Sequence, residues 1–177
     1  MRENNEKLKL KSASLDTQLG PMLAISDEKT LYFLTFIERN SLNNEIERGC
    51  QKTKAEIVSG HTKVTYAIEK ELNLYFEGKL KAFKTSLFLV GTFFQKKVWE
   101  ALKKIPYGET ISYAAIAKEI GNPTAFRAVA QAAAANPVAI VIPCHRMITS
   151  GGKLGGYAGG VERKRYLINH EKSDGQA

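Results

Sequence analysis

The chain has 177 residues, 44% hydrophobic and 25% charged, the balance of an ordinary globular protein of one domain or two small ones. Lys and Arg outnumber Asp and Glu by 26 to 18, and the resulting net charge of +8 favours polyanionic partners through counterion release. The sequence has no apolar run near the roughly 20 residues that span a bilayer, a basic start (MRENNEKLKLK) without a secretory apolar core, and only two cysteines, Cys50 and Cys144, so a cytoplasmic chain without membrane anchor or disulfide framework is expected.

Residues 1–13 read as a charged, poorly ordered lead-in. Met22–Ser26 and Leu31–Ile37 are β-compatible runs separated by the turn Asp27-Glu28-Lys29. Residues 38–60 are polar, with a short helix around Asn43–Gln51. Val64, Ala67, Ile68, Leu72, Tyr75 and Phe76 follow helical spacing over 62–77, with Gly78 just past the end. From Thr92 the pattern becomes mainly helical. Phe94, Val98, Ala101, Leu102 and Ile105 mark an amphipathic helix stopped by Pro106. The next spans Ser112–Ile120 and breaks at Gly121-Asn122-Pro123. Asn122 as N-cap and Pro123 as first helical residue predict a further helix, ended near Ala135 because Asn136 precedes Pro137. Val138–Ile142 is expected to form a short buried strand, 151–160 a Gly-rich loop, and Val161–Glu171 a last helix. Helix, Gly-containing break and second helix make a helix-turn-helix pattern. The alanines of the second helix pack against a neighbour or let its backbone approach another surface.

Cys144, in Ile142-Pro143-Cys144-His145-Arg146-Met147, is the residue that carries chemistry. Free cysteines are usually buried small hydrophobes. Cys144, however, lies just beyond an apolar run, next to two basic residues that favour thiolate, and within ten residues of a Gly-rich loop. His145 is a candidate base and Glu171 a candidate orienting group. Cys50, His61, Cys144, His145 and His170 lack zinc-ligand spacing, so no metal is expected. The stretch GGKLGGYAGG matches no nucleotide-binding loop, so no cofactor is expected either. The residues alone leave a thiol hydrolase, a redox sensor and an alkyl acceptor open.

Ordered motifs over about 80 residues resemble the O6-alkylguanine-DNA alkyltransferases, the methylated-DNA–protein-cysteine methyltransferases, in their stand-alone form. The matching residues run from Gly91-Thr92-Phe93-Phe94-Gln95 and Val98-Trp99 through Ile105-Pro106-Tyr107-Gly108-Glu109-Thr110 and Ser112-Tyr113. They continue with Gly121-Asn122-Pro123, Arg127-Ala128-Val129, Asn136-Pro137, Ile142–Arg146, Gly156-Tyr157-Ala158-Gly159-Gly160 and Glu171. The resemblance implies an α+β protein. A small ribonuclease-H-like domain (1–88) precedes a mainly helical domain (89–171) with a winged-helix-like helix-turn-helix and the acceptor cysteine, and 172–177 form a disordered tail.

It further implies DNA repair by direct damage reversal, in a single irreversible turnover. An alkyl group passes from O6-alkylguanine, and from O4-alkylthymine, to Cys144 after base flipping. His145 deprotonates the thiol through a water, oriented by Glu171, and Tyr113 donates to the guanine. Asn136 is a structural hinge. Arg127 fills the gap left by the base, with Ala128, Ala132, Thr124 and Ser112 on the DNA, while Met147, Tyr157, Ala158 and Gly159 form the guanine pocket. The implied partner is double-stranded DNA carrying the lesion, bound through its minor groove by a monomer. Three departures stand out. Ala130-Gln131-Ala132-Ala133 lies where relatives more often have glycine, Met147 replaces valine, and Ala158 lacks a hydroxyl that some relatives carry. The alternative is a non-catalytic alkylated-base-binding protein of the same fold that recruits other repair factors. Such relatives replace the acceptor cysteine, and this chain keeps it.

Overall fold

Alternating apolar residues build the first half. In the computed structural model, which describes residues 8–38 and 42–174, the strands β1 (Leu8–Leu15), β2 (Met22–Ser26) and β3 (Leu31–Phe36) form an antiparallel meander. Leu10, Ala13 and Leu15 of β1 are buried. Residues 8–13 of the segment expected to be a disordered lead-in are therefore strand, while residues 1–7 lie outside the described part. The alternation Leu8-Lys9-Leu10-Lys11 shifts phase at Ser12, with Ala13 and Leu15 as the next apolar positions, so the period-two pattern is interrupted. Helix α1 (Leu42–Thr53) leads into β4 (Ala55–Ser59), which pairs parallel to β1 and completes the order β3-β2-β1-β4. No residue of β4 is buried, which is why its sequence carries no strand signal. Helix α2 (Lys63–Phe76) opens with a capping box between Thr62 and Thr65 and buries Val64, Ile68, Leu72, Tyr75 and Phe76.

The second half is helical. Helix α3 (Phe93–Lys103) starts with a capping box of Thr92 and Gln95 and buries Val98, Trp99, Ala101 and Leu102. It packs against α4 (Tyr113–Glu119) and α5 (Phe126–Ala134), the two helices of the helix-turn-helix. The Trp99 indole donates to the Ala132 carbonyl at 2.8 Å and ties α3 to α5. Helix α5 begins at Phe126, later than expected. The Ala125 N–H donates to the Asn122 carbonyl at 2.9 Å, so Asn122 and Pro123 form a turn ahead of the helix. Proline suits the second position of such a turn as well as the first of a helix. A two-residue parallel ladder joins β5 (Ile111–Ser112) to β6 (Met147–Ile148). The last helix, α6 (Val161–Asp174), runs three residues past its expected end, into the segment read as a tail; residues 175–177 lie outside the described part.

The free edge of β3 joins the halves. Leu31 bonds Ser86 and Phe88 through its backbone, and Leu34 exchanges bonds with the Pro137 carbonyl (2.8 Å) and the Ala139 N–H (2.7 Å). An exposed edge is thus covered by the segment that leads to Cys144.

Candidate active site

The run Val138–Ile142 is not the expected strand. Ile140 has φ +70° and is almost wholly buried, and Val141 donates to the Ala139 carbonyl at 2.9 Å, closing a three-residue turn. A β-branched residue in left-handed backbone is strained and persists only where its surroundings enforce it. Here they do. A second tight turn follows at Pro143, where Cys144 N–H donates to the Ile142 carbonyl at 2.8 Å, and Cys144–Arg146 form one 3-10 turn. Buried Asn136 ties the loop together. Its Oδ1 accepts from Val138 N–H (2.9 Å), and its Nδ2 donates to the Ile142 carbonyl (2.8 Å) and to Cys144 Sγ (3.2 Å).

Behind Cys144 lies a buried charge relay. His145 and Glu171 are almost fully excluded from solvent, and His145 Nε2 donates to Glu171 Oε1 at 2.7 Å. Arg146 donates from Nε to Glu171 Oε2 (2.8 Å), from Nη2 to Oε1 (3.1 Å), and from Nη1 to the Ile105 carbonyl (2.6 Å). The Gly108 N–H adds a bond to Oε2 at 3.2 Å. Gly108 has φ +80°, and a Cβ there would stand 3.0 Å from the Glu171 carbonyl oxygen, so only glycine lets the loop come this close. Tyr75, from α2 of the first half, donates to Oε1 at 2.7 Å.

Burial pushes the Glu171 carboxyl upward, but the bonds and charges of His145 and Arg146 outweigh it and hold the group well below the usual carboxylate range. Burial pushes the His145 imidazole down, against the pull of Glu171, so the ring is neutral at pH 7. With its proton on Nε2, the lone pair is on Nδ1, which is buried and has no hydrogen-bond partner among the described residues. That nitrogen is the site's free base.

In front of Cys144 lies a pocket of about 320 Å³, lined by Tyr113, Ala130, Ala133, Ala134, Cys144 and 156–158. Its volume lies within the range of small-molecule sites. Tyr113 is half-buried, and its hydroxyl donates weakly to the Gly156 carbonyl at 3.4 Å. Burial, and then the nearby thiol, raise its pKa, so the phenol keeps its proton. Gly155, at φ +69°, passes directly beneath, where a Cβ would fall 2.9 Å from the Tyr113 hydroxyl. Lys164, like Tyr75, is a residue that the sequence did not point to. Fully buried on α6, it donates from Nζ to the Tyr113 hydroxyl (3.3 Å) and the Gly156 carbonyl (3.1 Å). Burial lowers its pKa to about 8, against a smaller upward pull from Cys144.

The fold thus brings Cys144, Tyr113, Tyr157 and Ala158 around one pocket, with Asn136 bonded to the Cys144 sulfur and the pair His145 and Glu171 beside it. Met147 and Gly159 do not line it. Met147 is fully buried on β6, and Gly159 packs under Tyr157 and Phe36. Thr124, Arg127 and Ala128 are exposed before and along the first turn of α5. Ser112 caps α4, accepting from Ala115 N–H at 3.1 Å. Ala132, expected on the DNA-facing side, is buried against α3, because the α5 face of Val129, Ala132 and Ala133 forms the core contact. The pocket wall comes instead from Ala130, Ala133 and Ala134, whose helical spacing was the available signal.

Fold and site together define an α+β protein that presents a buried thiol, backed by a neutral imidazole, under a helix-turn-helix. Residues 10–89 match the profile described as the ribonuclease-like domain of 6-O-methylguanine DNA methyltransferase, and residues 93–173 match its DNA binding domain. The methylated-DNA–protein-cysteine methyltransferase of Methanosarcina acetivorans is 42% identical over 164 residues, covering 91% of this chain and 97% of that protein. The protein of that name from Mycobacterium tuberculosis is 56% identical over 103 residues, covering 58% of this chain and 62% of that protein. Among solved structures, Mycobacterium tuberculosis O6-methylguanine methyltransferase superposes with a TM-score of 0.79 at 40% identity, covering 93% of this chain and 94% of that one. The structure of Mycobacterium tuberculosis OGT in complex with DNA gives a TM-score of 0.77 at 40% identity over 94% of both chains. The chain belongs to the 6-O-methylguanine DNA methyltransferase family.

Proposed function

We propose that this protein repairs DNA by moving an alkyl group from O6-alkylguanine, and from O4-alkylthymine, onto Cys144 in a single irreversible turnover. The observation that carries this reading is the Cys144 thiol beside a pocket of about 320 Å³, with a neutral histidine behind it. The thiol proton passes through a bridging water to His145 Nδ1, while Glu171 holds the ring and stabilises the imidazolium. A new S–C bond forms as the C–O6 bond breaks, and the electron pair leaves with the guanine. Tyr113 donates its proton to that leaving group. The base enters by flipping, since the attacked carbon is out of reach inside the stack.

Asn136 keeps the acceptor sulfur in place, and Arg127 fills the gap in the duplex while α5 lies in the minor groove. Thr124, Ser112 and Ala128 lie along this DNA-facing surface. Tyr157 and Ala158 form the pocket wall against the guanine. Residues 89–171 carry the reaction and 1–88 brace it. The protein acts as a monomer in the cytoplasm; none of the described helices is long and apolar enough to cross a membrane. Retention of Cys144 favours catalysis over a purely lesion-binding role.

The test is to incubate the protein with a duplex carrying one O6-methylguanine and weigh the tryptic peptide that contains Cys144. The expected result is a gain of one methyl group on that peptide, absent from the Cys144→Ser protein. Tight lesion binding with no gain of mass would overturn the transfer and restore the binding-only reading.

A further inference from the structure

Phe126 is the first residue of α5, and its ring is 45% exposed although phenylalanine is among the most costly side chains to leave in water. It is one helical turn from Ala130 and two from Ala134, so the three share a stripe along the helix. Ala130 and Ala134 form the pocket wall beside Cys144. Phe126 therefore continues the pocket-lining stripe outward, about 6 Å along the axis beyond Ala130. It also neighbours Arg127, whose guanidinium lies 5.8 Å from the centre of the ring. An apolar ring and a cation thus stand side by side on the exposed start of the helix that borders the pocket. Proteins that enter the minor groove use such pairs, a cation for the groove and an apolar wedge between base steps.

We propose that Phe126 is a second DNA wedge, stacking on the base pair next to the extruded nucleotide while Arg127 occupies the gap. The inference rests on the alkyl-transfer reading above and adds a residue that determines how lesion DNA is held open. The ring works without charge, and this separates it from its neighbour. Stacking on a base leaves the salt dependence of binding unchanged, whereas each phosphate or groove contact by a cation contributes about one unit to the salt slope.

The experiment measures binding of Cys144→Ser protein to a duplex carrying one O6-methylguanine at several salt concentrations, alone and combined with F126A, F126W or R127A. F126A is expected to weaken binding by roughly 5- to 150-fold, the range for removal of one base–aromatic stack, with the salt slope unchanged. F126W is expected to restore the affinity, and R127A to reduce the slope by about one unit. Thermal melting checks that F126A folds, as an exposed first-turn residue should allow. Binding of F126A within twofold of the parent would overturn the wedge, as would a loss of affinity accompanied by a lower slope, which would make the ring a mere support for Arg127. Methyl transfer measured in parallel on the Cys144-containing proteins separates the two claims. If the unmodified chain transfers and F126A binds and transfers equally well, only the wedge falls. If the unmodified chain transfers nothing, the underlying reading falls.

Discussion

At the scale of single residues, the site is built from groups held in unfavourable states by their neighbours. Ile140 occupies left-handed backbone, Glu171 carries a buried charge satisfied by four donor residues, and Lys164 is a fully buried cation. Lys164 has two neutral oxygens at 3.1 and 3.3 Å, the Tyr113 ring 5.6 Å away and a smaller pull from Cys144, and desolvation outweighs them, so its pKa falls from 10.5 to about 8. The sign of its effect on stability follows. Between about pH 8 and 10.5 the unfolded lysine holds a proton that the folded one has released. Stability therefore rises with pH across that window, and below it the full cost of the buried cation is present. Lys164→Met removes the cost while keeping the volume. Urea unfolding at pH 7.0 is expected to show the variant more stable than the parent, with the gap closing toward pH 10.5. A gap of constant size at both pH values, or a less stable variant at pH 7.0, would refute this account. Lys164 stays charged at a stability cost, and that suits a residue whose hydrogen bond positions the Tyr113 hydroxyl against the pocket.

At the scale of elements, the helices were legible where the apolar period is long and the ends are marked. Helices α2 and α3 combine four or more buried positions with a turn or proline beyond their ends. The segments that shape the site were not legible, because tertiary contacts set their conformation. Val138–Ile142 has the composition of a strand, yet Asn136 and the β3 edge fold it into consecutive tight turns. Asn122-Pro123 satisfies the rules for a helix start and for a turn equally, and the chain takes the turn. Cys144, His145, Glu171, Tyr113 and Asn136 were all named from the sequence, the first three from the chemistry of the residues and the other two through the family motifs. Tyr75 and Lys164, 96 residues before Glu171 and 51 after Tyr113, meet their partners only through the fold. The alanines of α5 show two faces, Val129, Ala132 and Ala133 toward α3 and Ala130, Ala133 and Ala134 toward the pocket. Ala134→Leu places its added bulk in the pocket from an exposed position, so stability should change by no more than about 0.5 kcal/mol. Methyl transfer, read from the mass of the Cys144 peptide over time, is expected to slow about a hundredfold, as a small misplacement of the reacting atoms does. Affinity for undamaged duplex should hold, and equal transfer rates would show that the base does not occupy this pocket.

At the scale of the whole molecule, the first half acts as a brace for the second. Leu34 carries the Pro137–Ala139 segment on the β3 edge, and Tyr75 bonds Glu171 while its own carbonyl takes a bond from His170 at 2.8 Å. Arg163 of α6 stacks 4.4 Å from the Phe36 ring centre and donates to the Leu19 carbonyl at 2.8 Å. Because these links converge on the loop and helix around Cys144, the two halves should melt in one transition, and a change at the thiol should lower the stability of both. Alkylation is such a change. It adds a carbon to a side chain only 7% exposed, beside Tyr157 and Ala158 and within 3.2 Å of Asn136 Nδ2, and leaves a thioether without the thiol's S–H donor. Crowding of the packed site costs about 1–3 kcal/mol. For a chain of this size that lowers the melting temperature by about 2–12 °C. Calorimetry of the protein before and after reaction with O6-methylguanine duplex, with Cys144→Ala carried through the same treatment as baseline, measures the shift. A spent protein that melts as high as the fresh one, or in two separate steps, would mean that the acceptor loop is not coupled to the brace.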